Sequence, residues 1–267
     1  MTSIEELGDK LVLNPEEALE RSPGIFAIYN ALRKKSSETA VSVEKGLFKK
    51  TKVRAFEKTL YEFLSLELWH NVLKNYSETN NLKFRAPEPK FIIEEDINYQ
   101  PIHSLIMEYI EGYEVSLLLK RKIPLKSNGD NPSVKLYPAC ALHLGALNRI
   151  KEMEGFLHSD YDERHIKFIP FKDVAMAIVD LENSINDSSE MVKVESNKIY
   201  ENFIKKTNVP NKEKQNLRNK YEQGFESIRT PIDGIQFFKE LEAINKKYGI
   251  KLDPINGYIN EIRVNIK

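Results

Sequence analysis

FLHSDYDERHIKFIPFKDVAMAIVDLENS, residues 156–184, is the stretch whose reading decides the fold. It holds an irregular polar loop, an apolar run HIKFI, a turn at Lys172 and Asp173, and a second apolar run VAMAIVD. That is the pattern of a β-hairpin with a loop feeding its first strand. A hairpin centred between Lys172 and Asp173 sets His165 directly opposite Asp180, where facing Cβ atoms lie about 5 Å apart. Asp160 stands in the loop just before the first strand, so three polar groups converge. A carboxylate that closes a run as apolar as AMAIV is costly unless solvated, paired or bound to a cation, and magnesium carrying a phosphate meets that need.

Upstream, Pro138 to Glu154 reads as a helix with Leu142, Ala146, Leu147 and Ile150 on one face and Gly155 as its stop. A second helix is expected from about Thr51 to Tyr76, where Phe56, Leu60, Phe63, Leu64, Leu68 and Val72 recur at helical spacing without Gly or Pro. Between the two, FIIEED and HSLIMEYIEG read as strands. Near the start, an apolar stretch after Pro23 and Gly24, the polar KKSSET and then AVSVEKGLF suggest a hairpin in which Val41, Val43 and Lys45 share one face. Beyond Asn183 the chain is polar and helical in character. Its Lys- and Asn-rich part, 208–220, reads as a solvated helical face, and a final apolar face runs through Ile235, Phe238 and Leu241.

Hydrophobic residues make up 41% of the 267 and charged residues 30%, the profile of a folded protein. Basic and acidic residues both number 40, so no net field draws the chain to nucleic acid or anionic lipid, and no nucleic-acid partner is expected. The single cysteine, Cys140, fits a buried thiol in a reducing compartment. MTSIEELGDK has no apolar region, and no later run approaches the length of a membrane span, so the expectation is a cytoplasmic protein without a span.

Residues His158 to His165 resemble the kinase catalytic loop H-x-D-x-x-x-x-N, and IVDLE resembles the Asp-Phe-Gly element in the form found in aminoglycoside phosphotransferases and lipopolysaccharide core sugar kinases. LIMEYIEG looks like the strand and hinge between kinase lobes, and the APEP segment before it looks like a small-lobe element of those enzymes. The order agrees over roughly residues 35 to 185, and the likeness extends to RIO-type atypical kinases. The resemblance implies an α+β, two-lobed protein-kinase-like fold. A small antiparallel-sheet lobe with one long helix would occupy 1–110, and a mainly helical larger lobe with the catalytic loop and metal-binding hairpin 111–267.

The same resemblance implies ATP with Mg2+ or Mn2+ as cofactors. Asp160 would act on the acceptor hydroxyl, and Asp180 with His165 would hold the metal. Lys45 would be the strand lysine, partnered by Glu62 with Glu67 and Glu57 as rivals, and the backbone of Glu108 and Ile110 would meet the adenine edge. His158 is read as a brace for the loop. Two features depart from the pattern. His165 stands where most kinases have Asn, although lipopolysaccharide core kinases resemble this chain there, and imidazole suits manganese better than magnesium. Around the first hairpin only Gly24 and Gly46 occur, so a glycine-rich phosphate loop is missing. The function expected is transfer of a terminal phosphate from ATP to a hydroxyl. A small molecule, sugar or lipid head group is favoured over protein, because no Ala-Pro-Glu element follows DLENS. The alternatives are a pseudokinase-type nucleotide-binding regulatory module, an atypical Ser/Thr protein kinase, or an unrelated α+β domain in which both aspartates are structural.

Overall fold

The computed structural model describes residues 12–13, 15–21, 47–52, 56–97, 100–120, 132–158, 161–170, 174–181, 185–186, 190–253 and 258–260. In chain order the first half runs β1 (Val12–Leu13), α1 (Pro15–Arg21), β2 (Leu47–Lys52), α2 (Phe56–Thr79), β3 (Lys83–Arg85), β4 (Pro89–Ile97), β5 (Gln100–Glu108), β6 (Tyr113–Glu114) and α3 (Val115–Leu119). The second runs α4 (Pro132–Glu154), β7 (Phe156–Leu157), β8 (Ile166–Ile169), β9 (Ala175–Ile178), β10 (Ile185–Asn186), α5 (Glu190–Lys206), α6 (Asn211–Ser227), α7 (Gln236–Tyr248), β11 (Lys251–Asp253) and β12 (Tyr258–Asn260).

Two compact units result, one from residues 1–70, 87–110 and 238–267, the other from 71–86 and 111–237. The first carries a four-stranded sheet in the order β1-β4-β5-β2, in which β4–β5 and β2–β5 are antiparallel. The second is mainly helical and carries the sheet β3-β9-β8-β6 and the short pair β7–β10. This mixed architecture, a small antiparallel-rich sheet in one unit and a largely helical second unit, is the one the kinase-like resemblance implies.

Helix α2 forms where the apolar spacing requires it, and Leu60, Phe63, Leu64, Leu68, Trp69 and Val72 are all buried. It starts later than expected, because Leu47–Lys52 is strand β2, paired with β5 from Leu47↔Glu108 to Lys52↔His103. Residues 22–46, which include the expected first hairpin and Lys45, lie outside the described residues. Helix α4 begins at Pro132, six residues before the start expected at Pro138, which lies inside the helix. It ends at Glu154, and Gly155 at φ 67° supplies the left-handed stop.

In the second unit α4 and α6 approach unusually closely. A Cβ added to Gly145 would lie 2.0 Å from the Tyr221 carbonyl oxygen, and one added to Gly224 would lie 1.9 Å from that of Leu142. The bare backbones therefore set the spacing of these helices. On α7 the buried apolar residues are Phe237, Ile244 and Tyr248, while Ile235 and Phe238 are exposed. This corrects the expected face through Ile235, Phe238 and Leu241. The helix starts at Gln236, and the amides of Gln236 and Phe237 donate to the buried carboxylate of Glu154, which fixes the rotation of the first turn.

Candidate functional site

Strands β8 and β9 pair from Ile166↔Ile178 to Ile169↔Ala175, leaving residues 170–174 as the connection. This overturns the expected register. A connection with an odd number of residues shifts the pairing by one position, and the Val179 amide donates to the His165 carbonyl at 2.9 Å, so His165 stands level with Val179 and not with Asp180. Asp180 nevertheless comes back to the histidine. It adopts φ 64°, the only described non-glycine residue with positive φ, and its Oδ2 lies 3.7 Å from His165 Nε2. The left-handed turn just past the strand thus achieves what the register does not. The Asp180 side chain is 41% exposed and that of His165 14%, so the carboxylate is open to solvent beside a largely covered imidazole.

The loop before β8 is held at many points. The His158 side chain is buried, its Nε2–H donates to the Val179 carbonyl at 3.0 Å, and its ring stacks on that of His165 with centroids 5.2 Å apart. Burial lowers its pKa, the bond to Val179 opposes this, and the nearby Lys151 charge adds to the lowering, so the ring is neutral at pH 7. The bracing role expected for His158 is what these contacts show. Tyr161 is buried, and its hydroxyl donates to Asn148 Oδ1 at 3.1 Å. Asp162 accepts from the amide and the Nε of Arg164, both at 2.7 Å. Partial burial works to raise the Asp162 pKa, but these bonds outweigh it and hold the carboxyl below its ordinary value. Glu163 pairs with Lys206 at 2.6 Å, and its carbonyl accepts the Ser116 amide at 2.9 Å.

Asp160 and Lys45 lie outside the described residues. Among the described residues no group of three His, Cys, Asp or Glu side chains is arranged to hold a metal ion. His165 and Asp180 are brought together as a pair. In the first unit Glu62 is 3% exposed on α2. Glu67 is committed elsewhere on that unit, to Lys247 and the Tyr248 hydroxyl, both at 2.6 Å. The Glu108 amide donates to the Glu88 carbonyl at 2.9 Å, and Ile110 is buried.

Sequence reasoning missed one cluster, formed by Asn148 and Lys151 of α4 with Glu195 of α5. Asn148 is fully buried and donates to Tyr221 Oη at 2.9 Å and the Ser196 carbonyl at 3.1 Å, while Lys151 is 1% exposed. A signal was available, because Leu144, Leu147, Asn148 and Lys151 fall on adjoining faces of a helix otherwise apolar there.

No protein-family profile and no curated protein matches the sequence. Among solved structures the chain is similar to WaaP in complex with acyl carrier protein, 10% identical over 83% of this chain and 91% of that one, with a TM-score of 0.41. It is also similar to the ROP18 kinase domain in complex with AMP-PNP and sucrose, 9% identical over 76% and 74% of the two chains, with a TM-score of 0.40.

Proposed function

We propose that the chain is an ATP-dependent phosphotransferase that moves a terminal phosphate to a hydroxyl acceptor, with a small molecule, sugar or lipid head group favoured over protein. The observation that carries the reading is Asp180. An acidic residue in a left-handed conformation, partly exposed and 3.7 Å from an imidazole nitrogen, gives a divalent cation an oxygen and a nitrogen donor side by side. Asp180 and His165 would hold that cation, and the chemistry it supplies when bound is neutralisation of phosphate charge.

The remaining roles belong to the chain itself. Asp160 would accept the proton of the attacking hydroxyl, and the anchored loop around it would fix its position. Lys45 would bind phosphate oxygens with buried Glu62 as its counter-ion, a choice supported by the commitment of Glu67 to Lys247 and Tyr248. With its amide donated to Glu88, Glu108 would meet the adenine edge through its carbonyl, and Ile110 would do so through its backbone.

Asp180→Asn keeps the shape and the left-handed preference while removing the charge. Isothermal titration with Mg-ATP should then show loss of metal-dependent affinity; a folded variant with unchanged affinity and turnover sinks the assignment. The missing glycine-rich loop and His165 in place of Asn favour a second reading, a nucleotide-binding regulatory module without turnover. It predicts binding that Asp160→Asn does not alter and no transfer in the unmodified protein.

A further inference from the structure

The loop from His158 to His165 rests on a buried charge. Lys151, near the end of α4, is 1% exposed, yet its ammonium lies 2.7 Å from Glu195 Oε2 on α5. The same carboxylate oxygen accepts the His158 amide at 3.1 Å. Lys151 Nζ also lies 3.1 Å from the centroid of the Tyr161 ring, a cation–π contact in a desolvated setting. In sequence Asp160 falls between His158, whose amide is bound by the carboxylate that pairs with Lys151, and Tyr161, whose ring lies against the Lys151 ammonium itself. Replacing a buried ion pair by apolar side chains of similar volume is often neutral or stabilising, so packing alone does not call for a lysine there.

We infer that Lys151 is a positioning residue for the candidate catalytic loop, holding His158 through Glu195 and Tyr161 through its ring, the two described residues that flank Asp160 in sequence. The inference rests on the phosphotransferase reading for what Asp160 does, but not for how the loop is held.

Loop order and stability should respond to pH in opposite directions. The groups facing Lys151 are Glu195 from α5, Glu152 from its own helix, His158 and Tyr161 from the loop, and the Phe156 ring of β7 at 5.6 Å. Burial lowers the Lys151 pKa from 10.5 to about 8 against the pull of Glu195 and Glu152. Between those values the unfolded chain binds more protons than the folded one, so this group makes stability rise with pH across the window. Loss of the same proton removes the ion pair and the cation–π contact that tie the loop. A lysine with a merely structural role would not loosen the loop while the fold gains stability.

The test compares the unmodified protein with the double variant Lys151→Met, Glu195→Gln, in which neither charge is left stranded. Hydrogen exchange of peptides covering 156–166, corrected for intrinsic rates, and Mg-dependent ATP hydrolysis with water as acceptor are followed from about pH 6.5 to 9.5. The expected result at pH 7 is loop exchange roughly 10-fold faster in the double variant and kcat roughly 10-fold lower with KM for ATP unchanged. The unmodified protein should lose kcat as pH rises through about 8, and the double variant should lack that fall. A folded double variant with unchanged loop exchange overturns the proposal. If the double variant does not fold, the pH series of the unmodified protein decides, and flat loop exchange and flat kcat overturn it. Faster exchange in the double variant, with no ATP turnover by the unmodified protein at any pH, upholds the anchoring and overturns the reading of Asp160.

Discussion

A left-handed conformation costs a non-glycine residue about 1–2 kcal/mol, less for Asp and Asn, whose short side chains bond locally. At Asp180 that cost directs the carboxylate back towards His165. Asp180→Asn should therefore leave the melting temperature nearly unchanged while metal-dependent ATP affinity falls by on the order of 100-fold, measured by calorimetry with and without magnesium. Asp160→Asn should do the reverse, sparing nucleotide affinity and lowering transfer by about 10²–10⁴-fold. Equal loss of binding in both variants would contradict separate roles. For His165 the distinguishing measurement is the ratio of turnover in manganese to turnover in magnesium. Replacement by Asn substitutes an amide oxygen for an imidazole nitrogen and should shift the ratio towards magnesium. An unchanged ratio would leave His165 a structural residue that stacks on His158, with no role as a metal ligand.

Among elements, the α4–α6 crossing gives the sharpest stability test. Alanine at Gly145 or Gly224 would gain about 1 kcal/mol of helix propensity, but its methyl would meet a backbone oxygen near 2 Å, and such overpacking costs about 3 kcal/mol or more. The clash wins. Each substitution should destabilise by about 2 kcal/mol net, seen as a melting temperature lower by roughly 4–8 °C, and an unchanged temperature would mean that the helices can part freely. The periodic elements were legible in the sequence, because burial of α2 and α4 follows from apolar spacing and the strands β4, β5, β8 and β9 from apolar runs between turn residues. The register of β8 and β9 was not legible, since one residue more or less in a turn leaves the apolar pattern of a strand buried on both faces intact. Glu154, which receives the first amides of α7, was also illegible, because a carboxylate near a helix end reads as solvated until the distant helix it caps is known. The candidate site shows the same division. His158 and Asp180 could be named from local sequence, whereas Lys151 and Glu195 depend on the meeting of two helices.

Over the whole molecule 40 basic and 40 acidic residues cancel, so binding of a polyanion has no net field behind it, and any affinity for ATP has to come from a local arrangement of donors. That allows a test of the entire reading without knowing the acceptor. A ligand that binds only the folded chain stabilises it by RT ln(1 + [L]/Kd), about 2.7 kcal/mol at a hundredfold excess over Kd, which for a chain of this size raises the melting temperature by roughly 5–10 °C. Mg-ATP or Mn-ATP should produce that rise. Inorganic polyphosphate at the same charge concentration should not, since in the proposed reading the nucleoside contributes to binding as well as the phosphates. In Asp180→Asn the nucleotide should act equally with and without metal, because the proposed function assigns the metal-dependent part of the rise to that carboxylate. If no nucleotide raises the melting temperature with either metal, Asp160 and Asp180 are structural residues of an α+β domain. An equal rise with polyphosphate would instead place the binding in surface charge and not in the site around Asp180.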